Sequence, residues 1–394
     1  VQTLLQPWVR VALALTAIGW GANHFAGLLA VYRQAGQSEA FISFAVGVYA
    51  VGLVASLLVT AVVGDRIDHR AAIRFAVVVS AAGTALIAAG AQQDALIQVG
   101  RFVAGIGTGA ALAPGTAWLM DLSRDQPLGT GPRRATIALT AGFGGGPFVA
   151  GLFGQWAPHA EVTPYLPHLV LSVLAAVLVW RAPVAPADRS GRDWRGVRRA
   201  VAAREFLRTV PATAPWVFGV VTTAFAIAPS VVKVQHLPVA SGAAILGVVL
   251  LGGVLIQGPA KRMEERAMGR PLRAGMSVAA LGAGLTALNF QLDQPLLLFV
   301  GALVLGAAYG LLLVGGLSRV ESVSEPEDRS RVNAVFYAIS YIGFALPYLF
   351  VLLTDDLIGP APLMWIGAGV AVLTLVSLPR MPTDQQPRTR VRAR

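Results

Sequence analysis

Few side chains in this sequence have the means to do chemistry, and their positions narrow what that chemistry can be. The chain of 394 residues has no cysteine, which removes disulfides, thiolate metal sites and cysteine nucleophiles together. Its five histidines are too scattered for a metal cluster. No nucleophile stands paired with a base, and the glycine-rich stretch 142–151 lacks the lysine of a phosphate-binding loop. An enzyme, a metal or a cofactor is therefore not expected. Twenty carboxylates are present, yet each falls in a polar connector or at the end of an apolar run. Polar groups well inside such runs are Asn23, His24 and Arg101. An imidazole with an ordinary pKa of about 6.5 exchanges protons near neutral pH; a packing role, donating to a neighbouring carbonyl, is the alternative. His168 lies closer to the end of its own run. A guanidinium within an apolar run costs ~2.5–3.5 kcal/mol on membrane-insertion scales and marks a functional position by default, unless it snorkels to the surface. With no carboxylate nearby, Arg101 turns to Asn23, a carbonyl, or an anionic or strongly polar ligand.

The elements that must position these groups are membrane helices. Fifty-five per cent of the residues are hydrophobic and 13% charged, against roughly a quarter charged in a soluble domain. Crossing ~30 Å of hydrocarbon takes ~20 apolar residues. Stretches of that kind lie near 9–32, 40–63, 71–91, 95–120, 135–156 and 163–182, then near 213–232, 239–260, 272–292, 295–318, 332–353 and 361–379. The first is read as a membrane helix rather than a cleavable leader. Residues 1–182 and 212–380 thus form two six-helix bundles, joined by a basic linker over 183–211 and followed by a basic tail over 381–394. The net charge of +11 is spread between the apolar runs, which argues against a nucleic-acid surface. With both termini cytoplasmic, every Lys and Arg except Arg33, Lys233 and the intramembrane Arg101 falls on the cytoplasmic side. Seven arginines between Asp188 and Arg208, interleaved with Trp194, Val197, Val201, Phe206 and Leu207, suit an amphipathic helix whose arginines reach anionic lipid headgroups.

Two local strings recur about half a chain apart. Leu122-Ser123-Arg124 returns as Leu317-Ser318-Arg319, and the Asp65-Arg66 turn has a basic counterpart at Lys261-Arg262. A duplicated half is common in secondary transporters. The segment Ala61-Val62-Val63-Gly64-Asp65-Arg66-Ile67-Asp68-His69-Arg70 resembles the signature loop of the major facilitator superfamily, with departures at Ala61, Asp68 and His69. Gly100-Arg101-Phe102-Val103-Ala104-Gly105-Ile106-Gly107-Thr108-Gly109 looks like its fourth-helix motif. Gly142-Phe143-Gly144-Gly145-Gly146-Pro147-Phe148-Val149-Ala150-Gly151 resembles the motif of its twelve-helix drug/proton antiporter branch, with Ala150 in place of one glycine. So many glycines beside a proline would ruin a soluble helix, but between membrane helices they allow a kink and close contact.

The resemblance implies an all-α integral membrane protein of two pseudo-symmetric six-helix bundles, with helices 1, 4, 7 and 10 lining a central cavity and alternating access by rocking of the halves. It implies a monomeric secondary transporter in the cytoplasmic (inner) membrane that exports a small organic or amphipathic molecule by proton antiport. A proton-independent facilitator or uptake carrier is the alternative within transport, and a membrane receptor or scaffold the alternative outside it. At ~1.5 Å of rise per residue His24 and Arg101 share a level. Asn23, His24 and Arg101 are therefore the candidate polar centre for substrate and proton, with Thr222, Tyr309, Tyr337 and Tyr341 as candidates in the second half. Gly142, Gly146, Pro147 and Gly151 form the antiporter-type motif at the interface of the halves. A gate is expected to join Asp65 to Arg329 or Arg331, and Arg66 or Arg70 to Asp121.

Overall fold

The computed structural model describes residues 6–63, 67–127, 130–183 and 194–379. Among these the secondary structure is helical, and twelve helices are long and apolar enough to cross a membrane. Spans 1 to 6 are Pro7–Gln34, Glu39–Val63, His69–Ala89, Asp94–Asp121, Thr130–Trp156 and Thr163–Trp180. Spans 7 to 12 are Arg204–Val231, Pro238–Arg266, Arg270–Leu292, Pro295–Val323, Arg329–Thr354 and Pro360–Ser377. The outer faces are clothed in exposed Leu, Val, Ile and Phe, the inverse of a water-soluble surface and what a hydrocarbon solvent requires. Starts differ most from the sequence reading where the first turns are polar. Span 7 begins at Arg204 rather than near 213, because Arg204, Glu205 and Arg208 occupy an exposed amphipathic turn whose other face buries Phe206 and Val210.

Three spans depart from regular α-helix at mid-depth. Span 1 tightens into a 3-10 segment at His24–Leu28, span 7 carries a π-helical turn at Thr223–Ile227, and span 11 has a second 3-10 segment at Tyr341–Ala345. Such interruptions free backbone carbonyls from the helical ladder and recur at working sites in membrane helices. Spans 1 and 7 hold equivalent positions in the two halves, so the repeated topology places a break on each side of the seam between them.

Between the halves, the linker helix Arg195–Ala202 turns Val197 and Ala200 into the core of the second half and leaves Arg195, Arg198 and Arg199 exposed. It is anchored by Trp194, over whose ring the Arg331 guanidinium lies at 5.2 Å. The end of the bundle carrying this helix is termed the linker end.

At the far end, the halves are tied by polar bonds. The Arg33 guanidinium donates to Glu39 at 2.7 and 3.1 Å and to the Ala226 carbonyl at 3.2 Å, and Lys233 Nζ is 3.9 Å from Glu39. Span 5 contributes a second tie: Gln155 Oε1 accepts from the Val239 and Ala240 N–H groups at 3.1 and 3.2 Å. A side chain of one half thereby caps the first turn of span 8, satisfying amides that a helix start leaves unpaired.

Candidate functional site

Arg101 is the most constrained charged residue of the bundle interior. It projects from span 4 with 2% of its surface exposed, donates from Nε to the Ala45 carbonyl of span 2 at 3.0 Å and from Nη1 to the Ala22 carbonyl of span 1 at 3.4 Å, and is sandwiched between the Phe25 ring at 4.6 Å and the Tyr49 ring at 4.4 Å. Two carbonyl acceptors and two aromatic faces offset part of the cost of burying the charge. The sequence allows this approach because Gly105 and Gly109, one turn apart, lie against the span 2 backbone at Tyr49 and Leu53, where a Cβ would collide. Arg101 therefore meets span 1 at Ala22 and Phe25, on either side of Asn23 and His24.

Those two neighbours diverge. Asn23 turns to span 5, where its amide donates to the Phe143 carbonyl at 3.2 Å. His24 turns into the first half: Nδ1 donates to the Trp20 carbonyl at 3.0 Å, its ring meets Tyr165 edge-on at 5.0 Å and stacks on His168 at 5.2 Å. His168 donates from Nε2 to the Ala17 carbonyl at 3.0 Å, with Ser172 Oγ 3.1 Å from the same nitrogen. Tyr165 shares a hydrogen bond of 2.5 Å with Tyr32. His168, Tyr165 and Tyr32 were not singled out as site residues from sequence. An imidazole inside span 6, with a serine one turn later, was the signal that pointed there.

The second half supplies a different surface. Phe218 of span 7 stacks on Tyr341 at 4.4 Å, lies 6.1 Å from Tyr309 and meets Phe344 at 5.6 Å. Phe344 in turn lies 6.1 Å from Tyr49 of the first half, so an aromatic path runs from the Arg101 sandwich across the seam. Tyr309 and Tyr337 are half-buried. Thr222 is spent on structure: its hydroxyl faces the Gly219 carbonyl and the Gly343 carbonyl of span 11, each at 3.0 Å, binding span 7 to span 11 where both are irregular.

The span 5 motif divides between two neighbours. A Cβ on Gly142 would come 3.0 Å from Gly19 Cα, and one on Gly146 2.9 Å from Trp20 Cα, so both face span 1. Pro147, buried in the same helix, has its backbone against Gly27, and Gly151 faces Ala243 of span 8 in the other half.

At the linker end, Asp65 and Arg66 lie outside the described residues. Asp121 is joined to span 3 through His69, with Oδ2 3.4 Å from Nδ1, and accepts from Arg124 at 2.7 Å. Arg70 stays with Asp68 at 3.9 Å, because Asp68 caps span 3 by accepting from the Arg70 N–H at 2.9 Å. Arg329 pairs with Glu321 at 2.8 Å, whereas Arg331 is buried against Trp194.

Two six-helix halves, interrupted spans facing one seam and an enclosed charged residue define a membrane carrier rather than a catalyst. The chain belongs to the Major Facilitator Superfamily, whose family model matches residues 11–290 and 245–393. Solved structures similar to it include the nucleoside transporter NupG, with a TM-score of 0.73 at 15% identity, covering 95% of this chain and 98% of that one. The POT family transporter PepTSo matches with a TM-score of 0.73 at 14% identity, over 95% and 96% of the two chains. A D-xylose-proton symporter matches with 0.71 at 13%, over 96% and 98%. No curated protein matches the chain significantly.

Proposed function

We propose that this carrier exports a small organic or amphipathic molecule across the cytoplasmic membrane in exchange for protons, working as a monomer with both termini in the cytoplasm. The observation that carries the reading is span 5. Its glycine face is pressed on span 1 while Gly151 reaches span 8, so the antiporter-type motif sits on both the half that holds His24 and the joint with the other half. The substrate lies against the aromatic shelf of Phe218, Tyr309, Tyr337 and Tyr341, with Asn23 and Arg101 opposite as polar partners. A positive side chain unopposed by a membrane carboxylate favours neutral or anionic substrates over polycations. The Arg33–Glu39–Lys233 tie supports a state closed at the far end. The exposed arginines of the linker helix suit anionic headgroups.

Uptake is the second reading, favoured by the likeness in fold to a D-xylose-proton symporter, and passage without protons is a variant of it favoured by the lack of a mid-span carboxylate in the sequence. Purified protein in liposomes, screened against a mixed metabolite and drug panel under an imposed pH gradient, separates them. Uptake into vesicles with an acidic interior, lost in His24→Ala, is the result expected of antiport. Flux that follows protons in the same direction assigns symport, and flux indifferent to the gradient and to the substitution assigns facilitation.

A further inference from the structure

The buried polar atoms of the first half that have no partner among the described residues include His24 Nε2, His168 Nδ1, Ser80 Oγ and Thr84 Oγ1. These four come from spans 1, 6 and 3, and the fold gathers them. Both histidines are fully buried, their rings stack at 5.2 Å with planes 26° apart, and a Cβ on Gly21 of span 1 would strike Ser80 Oγ and His168 Nε2 together.

The hydrogen bonds fix the tautomers. His24 Nδ1 lies 3.0 Å from the Trp20 carbonyl and His168 Nε2 3.0 Å from the Ala17 carbonyl. A carbonyl only accepts, so each of these nitrogens carries the hydrogen, and the other nitrogen of each neutral ring is a bare lone pair. Two acceptors left without donors in one enclosed site make it costly as it stands; one added proton supplies the missing N–H.

We propose that His24 and His168 together form a proton-binding site enclosed in the first half, taking one proton per transport cycle. This rests on the proton-coupled reading above and adds His168 and a location to it. The proton leaves water, a ring lone pair forms the new N–H bond, and the pair gains one positive charge. The ring keeps its bond to the backbone, and the new N–H is available to the Ser80 hydroxyl, which lies at the same site. Burial and the Arg101 charge oppose the first proton, which the new hydrogen bond must offset, and a second proton is opposed further by the first, 5.2 Å away ring to ring. Tyr165 of span 6 touches the His24 ring and is hydrogen-bonded to Tyr32 of span 1; Arg101 of span 4 acts on His24 through space and is itself flanked by Tyr49 of span 2; span 3 contributes the Ser80 hydroxyl. Glu161, in the connector before span 6, acts on Tyr32.

The new charge is felt by Arg101, whose guanidinium is pinned to the Ala22 carbonyl and the Phe25 ring. Both lie at the 3-10 segment of span 1, which leads directly to Arg33 and the far-end tie to Glu39 and Ala226. Protonation therefore loosens the far end from inside the first half, while the substrate occupies the seam.

The cysteine-free sequence allows a test without a known substrate. Spin labels at Gln34→Cys and Leu237→Cys, exposed far-end positions in different halves, report the opening of that end as pH is lowered from 8 to 4. One transition toward longer distances is expected, reduced at least fivefold in amplitude in His24→Gln and in His168→Gln. It should survive His159→Gln with His236→Gln, which remove the exposed far-end histidines. A transition that persists in the His24→Gln, His168→Gln double variant, or none in the parent, overturns the proposal. Imidazole ¹⁵N spectra of the unsubstituted protein give a reading independent of variant folding: the buried pair gains one proton in this range, whereas two rings that stay neutral throughout contradict it. Loss of gradient-driven flux with the pH transition intact would count against antiport, not against the site.

Discussion

The two halves of this carrier repeat one topology and fill it with different chemistry. The first half encloses two imidazoles, a guanidinium and a short tyrosine pair, whereas the second presents Phe218, Tyr309, Tyr337 and Tyr341 and spends its mid-depth threonine on backbone carbonyls. In the first, groups that carry charge are held within hydrogen-bond reach of backbone beside the seam; in the second, the groups at the seam offer flat apolar faces with hydroxyl tips, and the buried Arg319 and Arg331 lie toward the linker end. Duplication accounts for the paired breaks in spans 1 and 7, and divergence at a few side chains accounts for the rest. Under the proposed reading this difference becomes a division of labour, with proton chemistry assigned to the first half and the larger share of substrate contact to the second.

The comparison breaks most severely at the helix contacts both halves need. Gly146→Leu drives a branched side chain into Trp20, and overpacking of this kind costs ~1–3 kcal/mol or more; thermal unfolding in detergent should show the lowered stability, with transport lost. Arg101→Lys keeps the charge but not the planar group that reaches two carbonyls between two rings. Loss of stacking and of one hydrogen bond, ~1–3 kcal/mol together, predicts roughly a tenfold or larger fall in flux, measured against the amount of folded protein. An unchanged rate would remove Arg101 from the mechanism.

Predictions for the second half are smaller and fall on affinity. Phe218→Ala removes the ring that Tyr341 and Phe344 contact; aromatic pairs are worth ~0.5–1.5 kcal/mol, so KM should rise about two- to tenfold while dependence on the pH gradient is unchanged. Altered gradient dependence there would blur the division. The smallest effect belongs to Glu39→Gln. This pair is partly exposed, so ~0.2–1 kcal/mol is expected, seen as up to about a fivefold gain in labelling of a single cysteine placed at Leu237.

Much of this fold was legible in the sequence because ~20-residue apolar runs and asymmetric basic loops are strong signals. Helix ends were less so, since amphipathic first turns such as Arg204–Arg208 read as linker until the buried Phe206 is seen. The interruption at His24–Leu28 was not legible, for no proline stands in or beside it, whereas the π turn at Thr223–Ile227 is followed by Pro229, whose missing N–H removes a helical bond to Phe225. At the candidate site, depth arithmetic set Arg101 level with His24, and Arg101 touches span 1 at Ala22 and Phe25, but arithmetic along an axis carries no azimuth. It could not tell that Asn23 turns to span 5 and His24 to span 6. His168, 144 positions away, becomes a neighbour only through the bundle.

If proton chemistry and substrate contact are separate, substrate binding and gradient-driven flux must come apart in one variant. For a substrate drawn from the panel, equilibrium binding at equal pH and uptake driven by an acidic interior are measured side by side for the His24→Gln, His168→Gln double variant. The expected result is a Kd within about twofold of the parent while the gradient no longer drives accumulation. Accumulation that still follows the gradient in the double variant would contradict it.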